Sequence, residues 1–367
     1  MHDIITRLFA ELNLGEIDQP IETVSGGFMH RMYKVHAIGD YNDGLRGRYY
    51  AVKHLNPEIM SRDTAIANFD RAEELEEIIE KAGVPIVPAL VIDGKKRQCA
   101  EGQYFYVFNW QEGQITDWNN ISCEQCLKAG NILGRIHALE CGGNVICSEN
   151  LVCTENPENR ECHPNMDYEV SSIPWDEYIK EAQSTNNEIA SILSQNEKLL
   201  YYAEAEMNKA GSYLPTLCCI SDGDMDPKNV MWNNGEPAVI DLECLDYGNP
   251  VSHVLQLSLQ WSGITTCNYD PDLTKAFFEG YLEACDNGFR KYKEIFGLAY
   301  TWVEWLEYNI RRALGNSVDE AERHMGIAEV QNTISRIRYI HDKEQVIKAT
   351  LCWIDTGASD IKELSRR

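Results

Sequence analysis

The stretch Ser221–Glu243, SDGDMDPKNVMWNNGEPAVIDLE, decides how the rest of the chain is read. An apolar run, Leu217–Ile220, leads into a tight polar loop. A second apolar run (Val230–Trp232), a turn at Asn233, Asn234 and Gly235, and a third run (Ala238–Ile240) ending in an acid follow. Asn-Gly between apolar runs is the strongest short-range signal for a β-hairpin, because both residues tolerate positive φ. Such a hairpin holds three polar side chains in a fixed relation: Asp224 and Asn229 on the loop before it, and Asp241 just past its far strand.

Phosphoryl transfer from a nucleotide needs a set of this kind. One carboxylate accepts the proton of the attacking hydroxyl, while an amide oxygen and a second carboxylate hold Mg²⁺ on the phosphates, and little covalent chemistry is left for the protein. In isolation the same residues would also suit an Asp/Asn-rich turn of any α/β protein, so the upstream chain has to decide.

Bulk properties narrow the field. With 367 residues, 44% hydrophobic and 25% charged, the chain is long enough for two packed units and too mixed for disorder. No apolar run is long enough to predict a membrane span. The opening MHDIITRLFAELNL reads as an amphipathic helix with Ile4, Ile5, Leu8, Phe9 and Leu12 on one face, not as a signal peptide, so a cytoplasmic protein is expected. A net charge of −25, from 58 acids against 33 bases, disfavours a nucleic-acid partner and permits steering of a cationic small molecule, although solubilising surface charge explains it as simply. Thirteen cysteines without a secretion signal indicate reduced thiols. Cys123 and Cys126 form a CxxC with no second pair, on the apolar side of a helix. Cys141, Cys147, Cys153 and Cys162, beside His163, are irregularly spaced, and no zinc site is assigned to them.

In chain order, PIETVSGGFMHRMYKVHA (20–37) gives a strand, a turn and a strand, and Ser25-Gly26-Gly27 is where backbone N–H groups can approach a phosphate. RYYAVKHL (48–55) is a strand carrying Lys53 among apolar neighbours, where an ammonium needs an anionic partner. Residues 62–82 read as an acidic helix ended by Gly83 and Pro85, with Phe69, Ala72, Leu75, Ile78, Ile79 and Ala82 as its buried stripe. Glu74 borders that stripe and is chosen over Glu73 as the partner that fixes Lys53 toward phosphates. PALVIDG and QYFYVFNW supply two more strands, ending at the link Gln111-Glu112-Gly113. Beyond it, helices are predicted at 122–139, 175–209, 250–262, 270–284, 290–315 and 328–355, with an irregular excursion over 141–173.

Taken together, this ordered set resembles protein kinases, and more closely the aminoglycoside phosphotransferase and choline kinase group. SGGFMHRMYKV resembles that group's Gly-Gly-x-x-Asn-x-x-Tyr loop, YAVK the kinase strand lysine, GNILGRIHAL the Leu-Gly-x-x-Leu-x-x-Leu-His helix, and IDLECLDYGNP the Ile-Asp-x-Glu…Gly-Asp-Pro segment. No Ala-Pro-Glu tripeptide follows Asp241, which speaks against a protein-serine kinase. The resemblance implies an α+β, bilobal, protein-kinase-like fold. Residues 1–110 would form a nucleotide-binding lobe with an antiparallel sheet and one helix, and 111–367 a mainly helical catalytic and substrate-binding lobe. It further implies that Asp224 is the base, that Asn229 and Asp241 hold Mg²⁺, and that Lys53, paired with Glu74, contacts the phosphates. Ser25, Gly26 and Gly27 would cover the phosphates, and the purine of ATP or GTP would lie beside Phe108 with backbone bonds from Asn109 and Gln111.

Three residues depart from the pattern. Asp222 stands where the group has the His of His-x-Asp, and an Asp there can brace the loop by accepting backbone N–H bonds. His30 replaces the glycine-loop Asn, and Asn249 replaces the Asp of Gly-Asp-Pro. The acceptor site is expected around Asp226, Glu243 and Asp246 and on the helix segment YTWVEWLEYNIRR, where Trp302, Glu304, Trp305, Glu307 and Tyr308 suit an ammonium group. For any one of these residues the favoured reading is that the tryptophans are core and the glutamates solvated. The implied activity is a small-molecule kinase with an aminoglycoside-like antibiotic as first acceptor; choline, an amino alcohol or a sugar is the alternative. A nucleotide-binding, inactive pseudokinase serving as an interaction module is the rival from another class, kept in view by Asp222 and His30.

Overall fold

The computed structural model describes residues 1–24, 30–41, 44–139, 170–315 and 320–364. Ser25, Gly26 and Gly27, and the group Cys141, Cys147, Cys153, Cys162 and His163, lie outside the described residues. The chain forms two compact units: Met1–Ile115 with Asn229–Asp246, and Thr116–Lys228 with Tyr247–Arg367.

The smaller unit is built on an antiparallel sheet. Helix α1 (His2–Glu11) precedes strands β1 (Glu16–Ile17), β2 (Glu22–Val24), β3 (Arg31–Tyr41) and β4 (Gly44–His54). Helices α2 (Pro57–Met60) and α3 (Ala65–Lys81) and strands β5 (Gln98–Ala100), β6 (Gln103–Asn109) and β7 (Gln114–Ile115) complete it. The sheet order is β1-β3-β4-β6-β5, with β2 also paired to β3. Tyr33, Val35 and Ala37 alternate inward on β3 as their spacing predicts, and meet Ile5, Leu8 and Phe9 of α1 together with Tyr50, Val52, Phe105 and Val107. The Phe9 ring sits edge-on to Tyr50 at 5.5 Å.

Two local readings change. The segment PALVIDG is not a strand: Leu90 N–H bonds to Val107 at 2.8 Å, but Ala89 N–H goes to the Glu76 side chain at 2.9 Å, so no continuous ladder forms. The short strand is instead Gln98–Ala100, after a turn at Asp93 and Gly94 that both take positive φ. On α3 the buried stripe is Ala65, Phe69, Ala72, Leu75, Glu76 and Ile79, whereas Ile78 is exposed. Glu76 occupies the i+4 position from Ala72 that Ile78, two residues on, rotates away from.

The hairpin strands Val230–Asn233 and Glu236–Val239 pack with this smaller unit. β7 pairs with the first of them, and Val239 exchanges backbone bonds with Pro85 and Val87 at 2.9 Å. Residues 111–115 and 229–246, assigned from sequence to the second lobe, therefore group with the first.

The larger unit is mainly helical. It contains α4 (Cys123–His137), α5 (Trp175–Thr185), α6 (Asn187–Gly211), β8 (Cys219–Asp222), α7 (Pro250–Trp261), α8 (Pro271–Ala284), α9 (Trp302–Leu314) and α10 (Glu320–Leu364). The single helix read over 175–209 is broken at Asn186, whose side chain accepts Glu188 and Ile189 N–H bonds and starts α6 afresh. Likewise the 290–315 segment resolves into a 3₁₀ turn at Phe296–Tyr300 followed by α9. Helices α4 and α8 meet backbone to backbone. A Cβ at Gly130 would fall 2.0 Å from Phe277 O, and one at Gly280 would fall 1.9 Å from Leu127 O. Trp175, Trp261, Phe277, Phe278, Tyr281 and Tyr300 fill the centre. Among the described residues no helix is long and apolar enough to cross a membrane.

Candidate active site

Asn234 and Gly235, at φ 51° and 81°, make the turn that the Asn-Gly signal called for. Ile240 N–H donates to Asn229 C=O at 2.9 Å, so the buried Asn229 stands at the base of the hairpin beside the segment that ends in Asp241. Asp241 itself adopts φ 63° and ψ 58°, a left-handed conformation that Asp tolerates better than most residues. Lys53, on β4 in register with Met32 and Tyr106, is 5% exposed. Its Nζ lies 2.6 Å from Asp241 Oδ1 and 2.5 Å from Glu243 Oε1.

Lys53 does not pair with Glu74 as the sequence predicts. Glu74 is on the exposed face of α3, and the lysine takes Asp241 and Glu243 instead. Of the neighbouring acids, Glu73 accepts the Tyr106 hydroxyl at 2.7 Å and pairs with Arg97 at 3.1 Å. Glu76 is buried against Lys96 at 2.8 Å. Burial pushes the Glu76 carboxyl above the usual carboxylate range despite Lys96. Glu73, Glu76, Tyr106, Phe108, Leu242 and Glu243 line one small cavity within this unit.

The electrostatics divide the two acids beside Lys53. Burial pushes Glu243 up to about 8, against the pull of Lys53 and with the help of Asp241. Burial also opposes ionisation of Asp241, yet its neighbours Glu243 and Lys53 hold it well below the usual carboxylate range. Asp241 is thus the anion, and it keeps 40% of its side-chain surface open, as a metal ligand requires. Glu243, only 12% exposed and committed to Lys53, is not presented to an acceptor; its placement at the acceptor mouth is corrected on that ground.

Magnesium demands oxygen donors and keeps several positions for water and phosphate oxygens. A half-open, ionised carboxylate at Asp241, with Asn229 at the base of the same hairpin, is a donor set of the type that demand calls for. His30 accepts the Asn56 N–H at 3.0 Å, and burial together with Lys53 lowers it to about 4, leaving a neutral ring. Phe108 is half-buried near the end of β6, Asn109 closes that strand opposite Tyr50, and Gln111 is exposed just beyond.

The loop with Asp224 belongs to the larger unit. Asp222 is fully buried, and its Oδ1 accepts the Asp224 N–H at 3.0 Å. Lys228 Nζ lies 3.1 Å from Asp224 Oδ1 and 2.7 Å from Asp226 Oδ2. Asp226 also accepts the Lys228 N–H at 3.0 Å and is 7% exposed. Burial raises its carboxyl to about 6. Asp226 therefore shapes the loop from within; an acceptor-binding role for it is corrected. Lys228 was missed by the sequence reading, although a lysine four residues past an acid on a tight turn is a readable signal.

Of the remaining acceptor candidates, Asp246 pairs with Arg71 at 3.0 Å in the smaller unit. On α9, Glu307 accepts Tyr178 OH at 2.9 Å and pairs with Arg311 at 2.5 Å, so it is not open to a ligand cation. Trp302 packs under Arg336. Trp305 and Tyr308 are not core: they are 40% and 43% exposed and stack at 5.3 Å. Glu304 is exposed beside them.

Residues 21–295 match the APH phosphotransferase enzyme family. Among curated proteins no sequence matches. Solved structures with a similar fold include spectinomycin phosphotransferase APH(9)-Ia in complex with ADP and spectinomycin, at 15% identity and a TM-score of 0.62 over 91% of this chain and 96% of that one. The amicoumacin kinase hAmiN, in complex with AMP-PNP, Ca²⁺ and amicoumacin, is similar at 12% identity and a TM-score of 0.54, covering 91% and 96%. A choline kinase from Cryptosporidium parvum shares 11% identity at a TM-score of 0.51, covering 98% and 99%.

Proposed function

The chain belongs to the APH phosphotransferase enzyme family, and from that membership we propose a specific reaction for this small-molecule kinase. It transfers the γ-phosphate of ATP or GTP, as the magnesium complex, to a hydroxyl of a cationic acceptor. An aminoglycoside-like antibiotic is the first candidate; choline, an amino alcohol or a sugar is the second.

The single observation that carries the reading is the Lys53–Asp241 contact at 2.6 Å, at a hairpin base shared with Asn229. A buried ammonium and an ionised carboxylate meeting at one point are the two groups a magnesium nucleotide separates. Lys53 would meet the nucleotide phosphates, and Asp241 with Asn229 would hold the metal. A magnesium ion held there would supply charge neutralisation on the transferring phosphates. Asp224 orients the acceptor hydroxyl and accepts its proton as the new O–P bond forms, and the leaving nucleoside diphosphate carries away the electrons of the broken bond.

A cationic acceptor is favoured by the net charge of −25 and by the exposed Trp305–Tyr308 stack beside Glu304, an aromatic and acidic surface suited to ammonium groups. The solved relatives point both ways, one binding spectinomycin and another named a choline kinase, which keeps both acceptor classes in play. The testing experiment is thermal shift with MgATP and MgGTP, followed by turnover against acceptor panels. Nucleotide-dependent stabilisation with transfer to an amine-bearing alcohol is expected. Stabilisation without transfer to any acceptor would favour the pseudokinase reading.

A further inference from the structure

The larger unit carries a buried chain of hydrogen bonds that the reaction described above does not use. His137, at the end of α4, is fully buried, with Nδ1 3.0 Å from Tyr281 OH on α8 and Nε2 2.8 Å from Ser221 Oγ on β8. Ser221 Oγ is in turn 2.5 Å from His253 Nδ1 on α7. Burial lowers His137 well below the ordinary imidazole value, so its ring is neutral, with one N–H and one lone pair. A serine hydroxyl has a single proton, so if it donates to one histidine it must accept from the other. Both rings are needed to satisfy Ser221, which is 1% exposed.

His253 is not deep core; it is half-buried, and its ring fills the space beside two glycines. A Cβ at Gly248 would fall 2.4 Å from His253 Cε1, and one at Gly223 would lie 3.6 Å from the same atom. Ser221 and Gly223 flank Asp222, whose carboxylate accepts the Asp224 N–H. The ring therefore bonds the loop at Ser221 and lies beside Gly223, on either side of the residue that holds the base.

We propose that His253 is a positioning residue for phosphoryl transfer: anchored by the N-terminal half of α7, it fixes Ser221 and Gly223 and through them the direction in which Asp222 presents Asp224. The inference rests on Asp224 as the base, but its central test does not. The start of α7 is itself tied down: Asn249 accepts the Val251 and Ser252 N–H bonds at 3.0 and 3.3 Å and donates from Nδ2 to Pro215 C=O at 2.8 Å. The position of the loop is thus tied to a helix end rather than left to the loop.

The test combines hydrogen–deuterium exchange of the full-length protein, read by mass spectrometry, with hydrolysis of MgATP to water. His253→Phe keeps a ring and removes the bond to Ser221. His253→Asn keeps a polar atom at the place of Nδ1. In His253→Phe, exchange in peptides covering 221–228 should rise about tenfold or more while α7 and α8 peptides stay unchanged. Hydrolysis kcat should fall by about tenfold or more with KM for MgATP within about twofold, because a displaced base loses rate and not nucleotide binding. His253→Asn should recover most of both. Ser221→Ala should reproduce the effects, and the double variant should be no worse than either single one. Unchanged loop exchange in His253→Phe, a rise spread through the whole unit, or additive effects in the double variant would each overturn the proposal. If the parent hydrolyses no MgATP, the exchange data decide: loop exchange unchanged in His253→Phe overturns the proposal, and a rise confined to 221–228 and reversed in His253→Asn supports it.

Discussion

Lys53 and Asp241 lie 188 residues apart in the chain, and their side chains meet at 2.6 Å. The contact joins a sheet lysine to the acid that closes a hairpin, inside one compact unit. Lys53→Met should therefore weaken MgATP binding by about tenfold or more, roughly 1.4 kcal/mol, as measured by isothermal titration calorimetry. It should also lower stability, because the partly buried Asp241 carboxylate loses a cation that keeps it ionised.

Asp241 and Asp224 should separate cleanly by assay. On the proposed roles Asp241→Ala removes a metal ligand, and the magnesium-dependent part of nucleotide affinity should disappear. Asp224→Ala should bind MgATP as the parent does and lose transfer by about 10²–10⁴-fold. Titration calorimetry with and without magnesium, paired with turnover, distinguishes the two; a fully active Asp224→Ala would show that another group is the base.

Glu243 makes stability depend on pH. Its carboxyl is raised to about 8 from an ordinary 4.5, chiefly by burial. The folded protein keeps a proton that the unfolded chain has lost, so this group's contribution is complete below pH 4.5 and disappears as pH climbs through about 8. Thermal melts should show the melting temperature falling across that window. Glu243→Gln, which resembles the protonated form, should flatten the slope.

Glu76 and Lys96 form a buried pair 2.8 Å apart, each 7% exposed. Glu76→Ala strands the lysine and deprives Ala89 N–H of its acceptor, and should cost about 3 kcal/mol in chemical denaturation. Replacing both residues with apolar ones, Glu76→Leu with Lys96→Met, should recover most of that loss.

The central hairpin, the strand lysine and the loop acids were legible because each is signalled within a few residues: an Asn-Gly turn between apolar runs, and an ammonium among β-branched and aromatic neighbours. Partnerships were less legible. Nothing local marks Glu76 as the buried acid of an acid-rich helix, since its partner Lys96 is twenty residues away. Glu74 follows from the kinase arrangement in which an acid on the helix pairs with the strand lysine, whereas the actual partners arrive from the far end of the hairpin. Glu243 and Asp226 read as acids at the acceptor mouth, whereas both are largely buried and taken up by Lys53 and Lys228. Asn186 ends one helix and caps the next, a break that helical periodicity on either side conceals.

The most direct measurement is magnesium-dependent transfer of labelled γ-phosphate from ATP and from GTP to a panel containing spectinomycin, kanamycin, choline and ethanolamine, run side by side with Asp224→Asn. The account predicts a phosphorylated product from at least one amine-bearing alcohol with the parent protein, and loss of that product in Asp224→Asn while nucleotide binding persists. Tight nucleotide binding with no transfer to any acceptor, or equal transfer by Asp224→Asn, would contradict it.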